Sequence, residues 1–388
     1  MRQFSTVFNQ IMQLIPRREC EGLIKKYRTD RYVKYFTSMQ LFTFLLFSHI
    51  RKKDSLRDGV CGLIQHQNTW AHLGLKKINK STISEANGRV NSAVFEGMFY
   101  GMLSKCVDLS TKKRFKFKNP LYAIDATVIK LCLSVFNWAK FRTAKGGLKL
   151  HVLLNLKSQI PTFMVVTDAK TSDVSITQNH YLPLIPDSII TFDRAYFDAA
   201  VFSAYTQNKI FFVSRMKKSV KYVFSGQHTD ATHSDVLWDH KIKFTGRGPR
   251  RDYPGELRLI RAHDTESDIT YEFLTNNFII SAETIAQIYK ARWDIEIFFK
   301  WIKQNLKLKT FLGTSENAVM NQIWVAMTYV LILAYIRYQT SYKQSLLTLS
   351  RILSETLFMR RGMMDLLSLK PPDLYKIRDD TPQMALLV

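Results

Sequence analysis

Thirty consecutive residues, Ser281 to Thr310 (SAETIAQIYKARWDIEIFFKWIKQNLKLKT), contain neither proline nor glycine, and their apolar side chains recur at helical spacing through Ile285, Ile288, Ile295, Phe299 and Ile302. That period predicts one amphipathic helix over the stretch. At ~100° per residue, Tyr289, Arg292, Glu296 and Lys303 project from a single narrow strip. A lone carboxylate thus stands among two cations and an aromatic ring. Such a strip suits a solvated face with i,i+4 ion pairs. It also suits a site where the acid holds a metal cation while arginine and lysine hold phosphates. The choice depends on whether other carboxylates can reach the same point.

Charge points to the kind of partner. The 388 residues carry 56 Lys+Arg against 32 Asp+Glu, a net charge of +24 whose field suits a polyanion. Cys20, Cys61, Cys106 and Cys132 are scattered with no CxxC pair, which argues against a zinc knuckle and a disulfide framework and for a reducing, cytoplasmic setting. The histidines fit no metal-binding spacing either; the loose group His228, His233 and His240 reads as surface or strand decoration. The N-terminus interrupts its apolar pattern with polar residues and then Pro16-Arg17-Arg18, so no cleavable export signal is expected. The apolar runs Leu41 to Ile50 and Ile323 to Ile336 are shorter than the roughly 20 residues a bilayer requires. They are expected to be core helices, with no membrane partner.

Along the chain, residues 1–118 read as an all-α basic DNA-binding domain, with 22 Lys+Arg against 8 Asp+Glu, or +14 of the total excess. Helices are expected near 4–15, 17–27, 38–50, 55–65, 82–88 and 90–106, with Ser38, Ser55 and Ser81 as N-caps. The segment from Asn79 to Asn87 is patterned like the start of a helix that reads DNA, which makes Lys80 and Arg89 candidate DNA contacts; simple capping is the alternative. The basic run Lys112 to Lys118 has no apolar face and reads as a linker. From Leu121 the texture turns to strands: LYAIDATVIKL, LKLHVLLNL and PTFMVVTDA in an antiparallel start, then SIITFDRAYF and a helix near 196–207. These make up 119–208, the first part of an α/β core. Strand-rich residues 209–277 read as an insertion with a Gly-Arg tip at 246–250. Residues 278–340 bring the organising helix and a second long helix, and 341–388 form a helical tail with Pro371-Pro372.

Two further acids stand out. Asp125 lies inside the apolar strand AIDATVI and Asp193 at the exit of IITFDRAYF, poor places for a carboxylate without polar partners. Each could be a turn or edge aspartate satisfied by backbone N–H groups. Convergence of both with Glu296 would instead let two divalent cations span the attacking and leaving oxygens of an in-line phosphoryl transfer.

The order of three strands, a later strand ending in Asp, then a helix carrying Glu resembles the RNase H-like core of DDE transposases and integrases. Tyr289-x2-Arg292-x3-Glu296-x6-Lys303 resembles the YREK signature of bacterial insertion-sequence transposases of the IS-four type. The stretches around Asp125 and Asp193 look like that family's other two motifs, and residues from Phe8 to Ser38 resemble its N-terminal domain. The resemblance implies an RNase H-like catalytic core, a mixed sheet with flanking helices interrupted by the β-rich insertion. It implies catalytic and metal-binding roles for Asp125, Asp193 and Glu296, with Mg²⁺ (Mn²⁺ substituting), and contacts to the element's end by Tyr289, Arg292, Lys303 and Arg194. In the family's insertion a Trp can hold a base; here the matching position is Tyr271. Cut-and-paste transposition by a homodimer on paired double-stranded ends is the activity implied. A nuclease that cuts without joining, a DNA-binding regulator and a nucleoid structural protein are the alternatives. The last two give no reason for acids within the strands.

Overall fold

The computed structural model describes residues 5–106, 117–132, 134–136, 138–142, 145–228, 235–265, 267–306, 308 and 310–368. Most of the expected linker, the end of the tail from 369 to 388 with Pro371-Pro372, and His233 lie outside them. The chain divides into two compact units, Met1–Leu109 with Asn305–Val388, and Ser110–Gln304.

The helical unit opens with α1 (Val7–Leu14), α2 (Arg17–Tyr27), α3 (Ser38–Ile50), α4 (Leu56–Ile64), α5 (Lys80–Arg89) and α6 (Ser92–Cys106). Ser55 caps α4 as expected, accepting from Asp58 N–H. Two caps differ. Thr37, not Ser38, caps α3 in a reciprocal box with Gln40, and Asn79, not Ser81, caps α5 by accepting from Thr82 N–H. In both cases an upstream residue in extended backbone already satisfies the free N–H groups of the first turn.

The second unit is built on ten strands: β1 (Leu121–Leu131), β2 (Lys140–Arg142), β3 (Lys145–Asn155) and β4 (Ile160–Asp168), then α7 (Asp173–Asn179), β5 (Ile189–Phe192), α8 (Ala199–Gln207), β6 (Phe211–Arg215), β7 (Tyr222–Gln227), β8 (Val236–Phe244), α9 (Arg247–Asp252), β9 (Leu257–Asp264) and β10 (Ile269–Thr275). Among the described residues they form one mixed sheet in the order β2-β3-β1-β5-β6-β10-β9-β8-β7, with β4 on β3. β1, β3 and β4 are antiparallel; β1, β5 and β6 run parallel. The strands of the expected insertion continue this sheet, because β6 uses one edge for β5 and the other for β10. The Gly-Arg tip contains a short helix, α9, where no element was expected. Phe192, Phe202 and Phe212 stack at the centre of the core, the last two with ring centroids 4.3 Å apart.

The sheet leads into α10 (Ala282–Ala291) and α11 (Trp293–Asn305). The single helix expected over 281–310 is therefore broken at Arg292, where Arg292 N–H bonds Tyr289 O and Ile295 N–H bonds Arg292 O, three residues apart in each case. That tightening re-aims the side chains around it.

Beyond it, α12 (Glu316–Gln339), α13 (Leu346–Thr356) and α14 (Met363–Leu367) belong with the N-terminal helices. At 24 residues α12 is longer than its apolar run suggested and long enough to cross a bilayer, yet 83% of its apolar window is buried. It is apolar on nearly every side and packs against α3, α5, α6 and α13, so it is the core helix of this unit and not part of the second half of the sheet unit.

Candidate catalytic site

Asp125 sits in β1 between apolar neighbours, half-buried, with its Oδ1 accepting from Ala126 N–H at 2.8 Å. β1 and β5 pair in parallel with Ala123 opposite Thr191, and carrying that register two residues further sets Asp193 level with Asp125. Asp193 lies just past β5, where its Oδ1 accepts from Arg194 N–H at 2.7 Å and caps a short 3₁₀ turn. Asp193 thus stands at the carboxyl end of β5, level with Asp125 partway along the adjacent parallel strand β1.

Arg292 brings the helix to them. Its guanidinium donates to Glu296 Oε1 at 2.7 Å and reaches Asp125 Oδ2 at 3.4 Å, with only 11% of the side chain exposed. It also lies over the Tyr289 ring, 5.5 Å from the centroid. The break at Arg292 puts this residue at the junction of α10 and α11, one turn before Glu296. Lys303 follows two turns later on α11, half-buried.

The electrostatics join these groups. Burial pushes the Asp125 carboxyl up to about 6; the Ala126 N–H and Arg292 oppose this, while Glu296 and Asp173 add to it. The buried Tyr196 hydroxyl is raised first by burial and then by the charges of Asp125, Asp173 and Asp193. The Tyr289 phenol is raised by burial, with Arg292 opposing and Asp193 adding. Asp125 is thus sensitive to the charge of Glu296, and Tyr196 to those of both Asp125 and Asp193.

Among the described residues, no three His, Cys, Asp or Glu side chains are gathered closely enough to hold a metal ion as they stand. The donor set nevertheless fits Mg²⁺ or Mn²⁺. It consists of hard carboxylate oxygens, and the partly buried Asp125 and Glu296 already share a cation, the Arg292 guanidinium.

Beside Arg292 is a cleft of about 520 Å³ lined in part by Arg215, Tyr271, Phe273, Tyr289 and Trp293. Tyr271 and Phe273 stack at 6.0 Å, as two residues on one strand face should, and Phe273 lies 5.1 Å from the Tyr289 ring. Phe273 is core, 4% exposed, whereas Tyr271 is half-buried with the Arg215 guanidinium 4.9 Å above its ring.

Arg194 is exposed next to Asp193, and Lys80 is exposed in the first turn of α5. Arg89 donates to the backbone oxygens of Thr29 and Phe36, so its guanidinium is engaged in holding a loop. The residues that sequence reasoning passed over are Asp173, Tyr196 and Arg215. Asp173 is bonded by Lys149 at 3.1 Å. Of the three, Arg215 alone had a legible signal, as a cation at the end of an otherwise apolar strand.

Residues 116–331 match the family described as the transposase DDE domain, and residues 3–76 match one described as a domain of unknown function. A "probable transposase for insertion sequence element IS5377" of Geobacillus stearothermophilus is 27% identical over 354 residues, 91% of this chain and 90% of that one. A second relative, y4zB of Sinorhizobium fredii, carried under a transposase name, is 30% identical over 288 residues, 72% of this chain and 78% of that one. A cryo-EM structure of a piggyBac transposase synaptic complex with hairpin DNA aligns with 98% of this chain and 81% of that one, at 9% identity and a TM-score of 0.43, too slight a likeness to bear on the fold. The DDE domain match spans more than half of the chain and contains Asp125, Asp193 and the Arg292–Glu296 pair, so this protein belongs to the DDE family of bacterial insertion-sequence transposases.

Proposed function

We propose that this DNA transposase works through Asp125, Asp193 and Glu296 as one acidic centre on an RNase H-like core, cutting its element's ends and joining them to target DNA. The observation that carries the reading is the Arg292 guanidinium, which ties the acid of the first strand to the acid of the helix. The three acids would hold Mg²⁺ or Mn²⁺, which when bound supplies the charge that favours attack on phosphorus by water and then by a DNA 3′-hydroxyl.

The chain's own groups do the rest. Arg292 and Lys303 bind the phosphates flanking the cut, Arg292 exchanging its carboxylate contacts for a phosphate as the end arrives. Tyr289 supports the Arg292 guanidinium through its ring face. Tyr271, open to the cleft, stacks on a base drawn out of the helix if the end passes through a hairpin. Arg194 adds a cation beside Asp193, and Lys80 faces DNA from α5. Two copies pair two ends in the cytoplasm, at the nucleoid.

The test is incubation of the purified chain with a labelled element end and target plasmid, with and without Mg²⁺. Asp125→Asn, Asp193→Asn and Glu296→Gln should each abolish nicking and strand transfer while the end is still bound. Cleavage without joined product in the wild type would mark a nuclease. Full activity in any one of the three variants would remove that acid from the centre.

A further inference from the structure

Residues 28–36, which join α2 to α3, carry two tyrosines that the core does not take up: Tyr32 is 85% exposed and Tyr35 75%. Arg28, Arg31 and Lys34 alternate with them, all exposed. The Arg31 guanidinium lies over the Tyr32 ring at 4.8 Å. The single acid of the segment, Asp30, faces inward, where its Oδ1 accepts from the Ser38 N–H at 2.8 Å and the Ser38 hydroxyl at 2.7 Å. The exposed face is thus purely cationic and aromatic.

This loop is braced. Thr29 and Phe36 are buried, Thr29 bonds Ser38 through their hydroxyls at 2.8 Å, and Arg89 of α5 donates to the backbone oxygens of both Thr29 and Phe36. Arg28 and Tyr32 are held in the left-handed backbone region, at φ 52° and 62°. Non-glycine residues rarely stay there unless surrounding structure over-determines them. Single exposed aromatics are ordinary on a surface. Two of them interleaved with three cations on a pinned turn are not scatter.

We infer that residues 28–36 are a second DNA-binding surface, separate from the acidic centre and taking the sugar–phosphate backbone of duplex DNA. Arg28, Arg31 and Lys34 contact phosphates, and the rings of Tyr32 and Tyr35 pack on deoxyribose with their hydroxyls toward phosphate oxygens. Charge complementarity selects this partner, since the exposed face presents no acid. Arg89 is then a positioning residue for the loop.

The inference rests on DNA as the substrate. The test measures affinity of the full chain, by fluorescence anisotropy across a salt series, for a duplex carrying the element's end and for a random-sequence duplex. Arg28→Asn/Arg31→Ala/Lys34→Ala should lower the slope of log affinity against log salt by about 0.9 for each phosphate that is no longer neutralised, roughly 2–3 in all. Tyr32→Asn/Tyr35→Ala should weaken binding roughly 5- to 50-fold with little change of slope. Asparagine is chosen at positions 28 and 32 because it tolerates the left-handed backbone, and unchanged thermal melting controls for folding. Both duplexes should respond alike. Wild-type affinity and slope in both variants would overturn the inference, as would a change of oligomeric state by sedimentation with DNA affinity intact. A wild-type chain that binds no duplex would remove DNA as substrate and the loop's role with it, whereas wild-type binding that survives the substitutions removes the loop alone.

Discussion

Arg292 makes two contacts that pull in different directions. It neutralises Asp125 and Glu296 here, and in the proposed reaction it leaves them to hold a phosphate. Arg292→Ala should therefore slow end processing by roughly 10- to 150-fold, the equivalent of a charge-assisted contact worth about 1.5–3 kcal/mol. Mn²⁺ binding, read by electron paramagnetic resonance, should be retained, because the carboxylates lose a competitor and not a ligand. Lys303→Ala should behave in the same way; loss of Mn²⁺ binding in either variant would refute this division of labour. Tyr271 offers a second single-residue test. Phe273 beneath it is core, but Tyr271 faces the cleft, so Tyr271→Ala should leave melting and first-strand nicking near wild type. The following step should slow by roughly 5- to 150-fold, the equivalent of about 1–3 kcal/mol of stacking removed. An unfolded variant, or unchanged hairpin and joining rates, would return Tyr271 to a packing role.

At the scale of elements, the hand-over from β10 to α10 aims the helix that carries Tyr289 toward the site. Asn276 Oδ1 accepts from Phe212 N–H of β6, and Asn277 Oδ1 accepts from the N–H groups of Ile279 and Ile280. Beneath them Arg258 of β9, 1% exposed, pairs with Asp239 of β8 at 2.6 Å and also donates to the backbone oxygens of Asn277 and Ile280. One guanidinium thus ties two strands to the turn before α10. Arg258→Met leaves a buried carboxylate without its partner and should cost about 3–5 kcal/mol. The double variant Asp239→Asn/Arg258→Met should recover part of that loss, because it removes the stranded charge but not the loss of the two backbone contacts. Urea midpoints of both variants check this, and a single variant as stable as wild type would show that the pair carries no such energy.

For the molecule as a whole, the helical unit contains a titrating group that ties its stability to pH. His49 of α3 is enclosed, and burial lowers its pKa from 6.5 to about 4 although the carbonyls of Leu306 and Gln322, each at 3.0 Å from a ring nitrogen, favour the proton. Between those two values the unfolded chain binds a proton that the folded chain refuses. The contribution is therefore intact above pH 6.5 and is lost as the pH falls toward 4, by about 3 kcal/mol in all. His49→Gln should flatten that part of the stability profile, measured by urea unfolding on either side of the window. A wild-type profile unaltered by the substitution would mean that His49 takes up its proton without unfolding. The net charge of +24 acts at the same scale, drawing the chain to a polyanion before any single contact forms.

How much of this could be read from the chain depends on the range of the forces involved. Period, capping residues and turn chemistry act over a few neighbours, so the order of helices and strands, the isolated acids Asp125 and Asp193 and the grouping of Arg292 with Glu296 were legible in the sequence. β1 was legible from Leu121 to Leu131, end to end. Long-range pairing was not. β6 looks the same in sequence whether its free edge meets β10 or solvent, and only the register of the sheet sets Asp193 level with Asp125. The same holds for the break at Arg292, which a continuous helical period conceals, and for the hold of the Arg89 guanidinium on residues 29 and 36, which its charge alone does not reveal. The sequence by itself determined the elements and the chemical groups they carry; the tertiary structure decided which groups meet, because the partners that satisfy a buried charge or a strand edge lie far away along the chain.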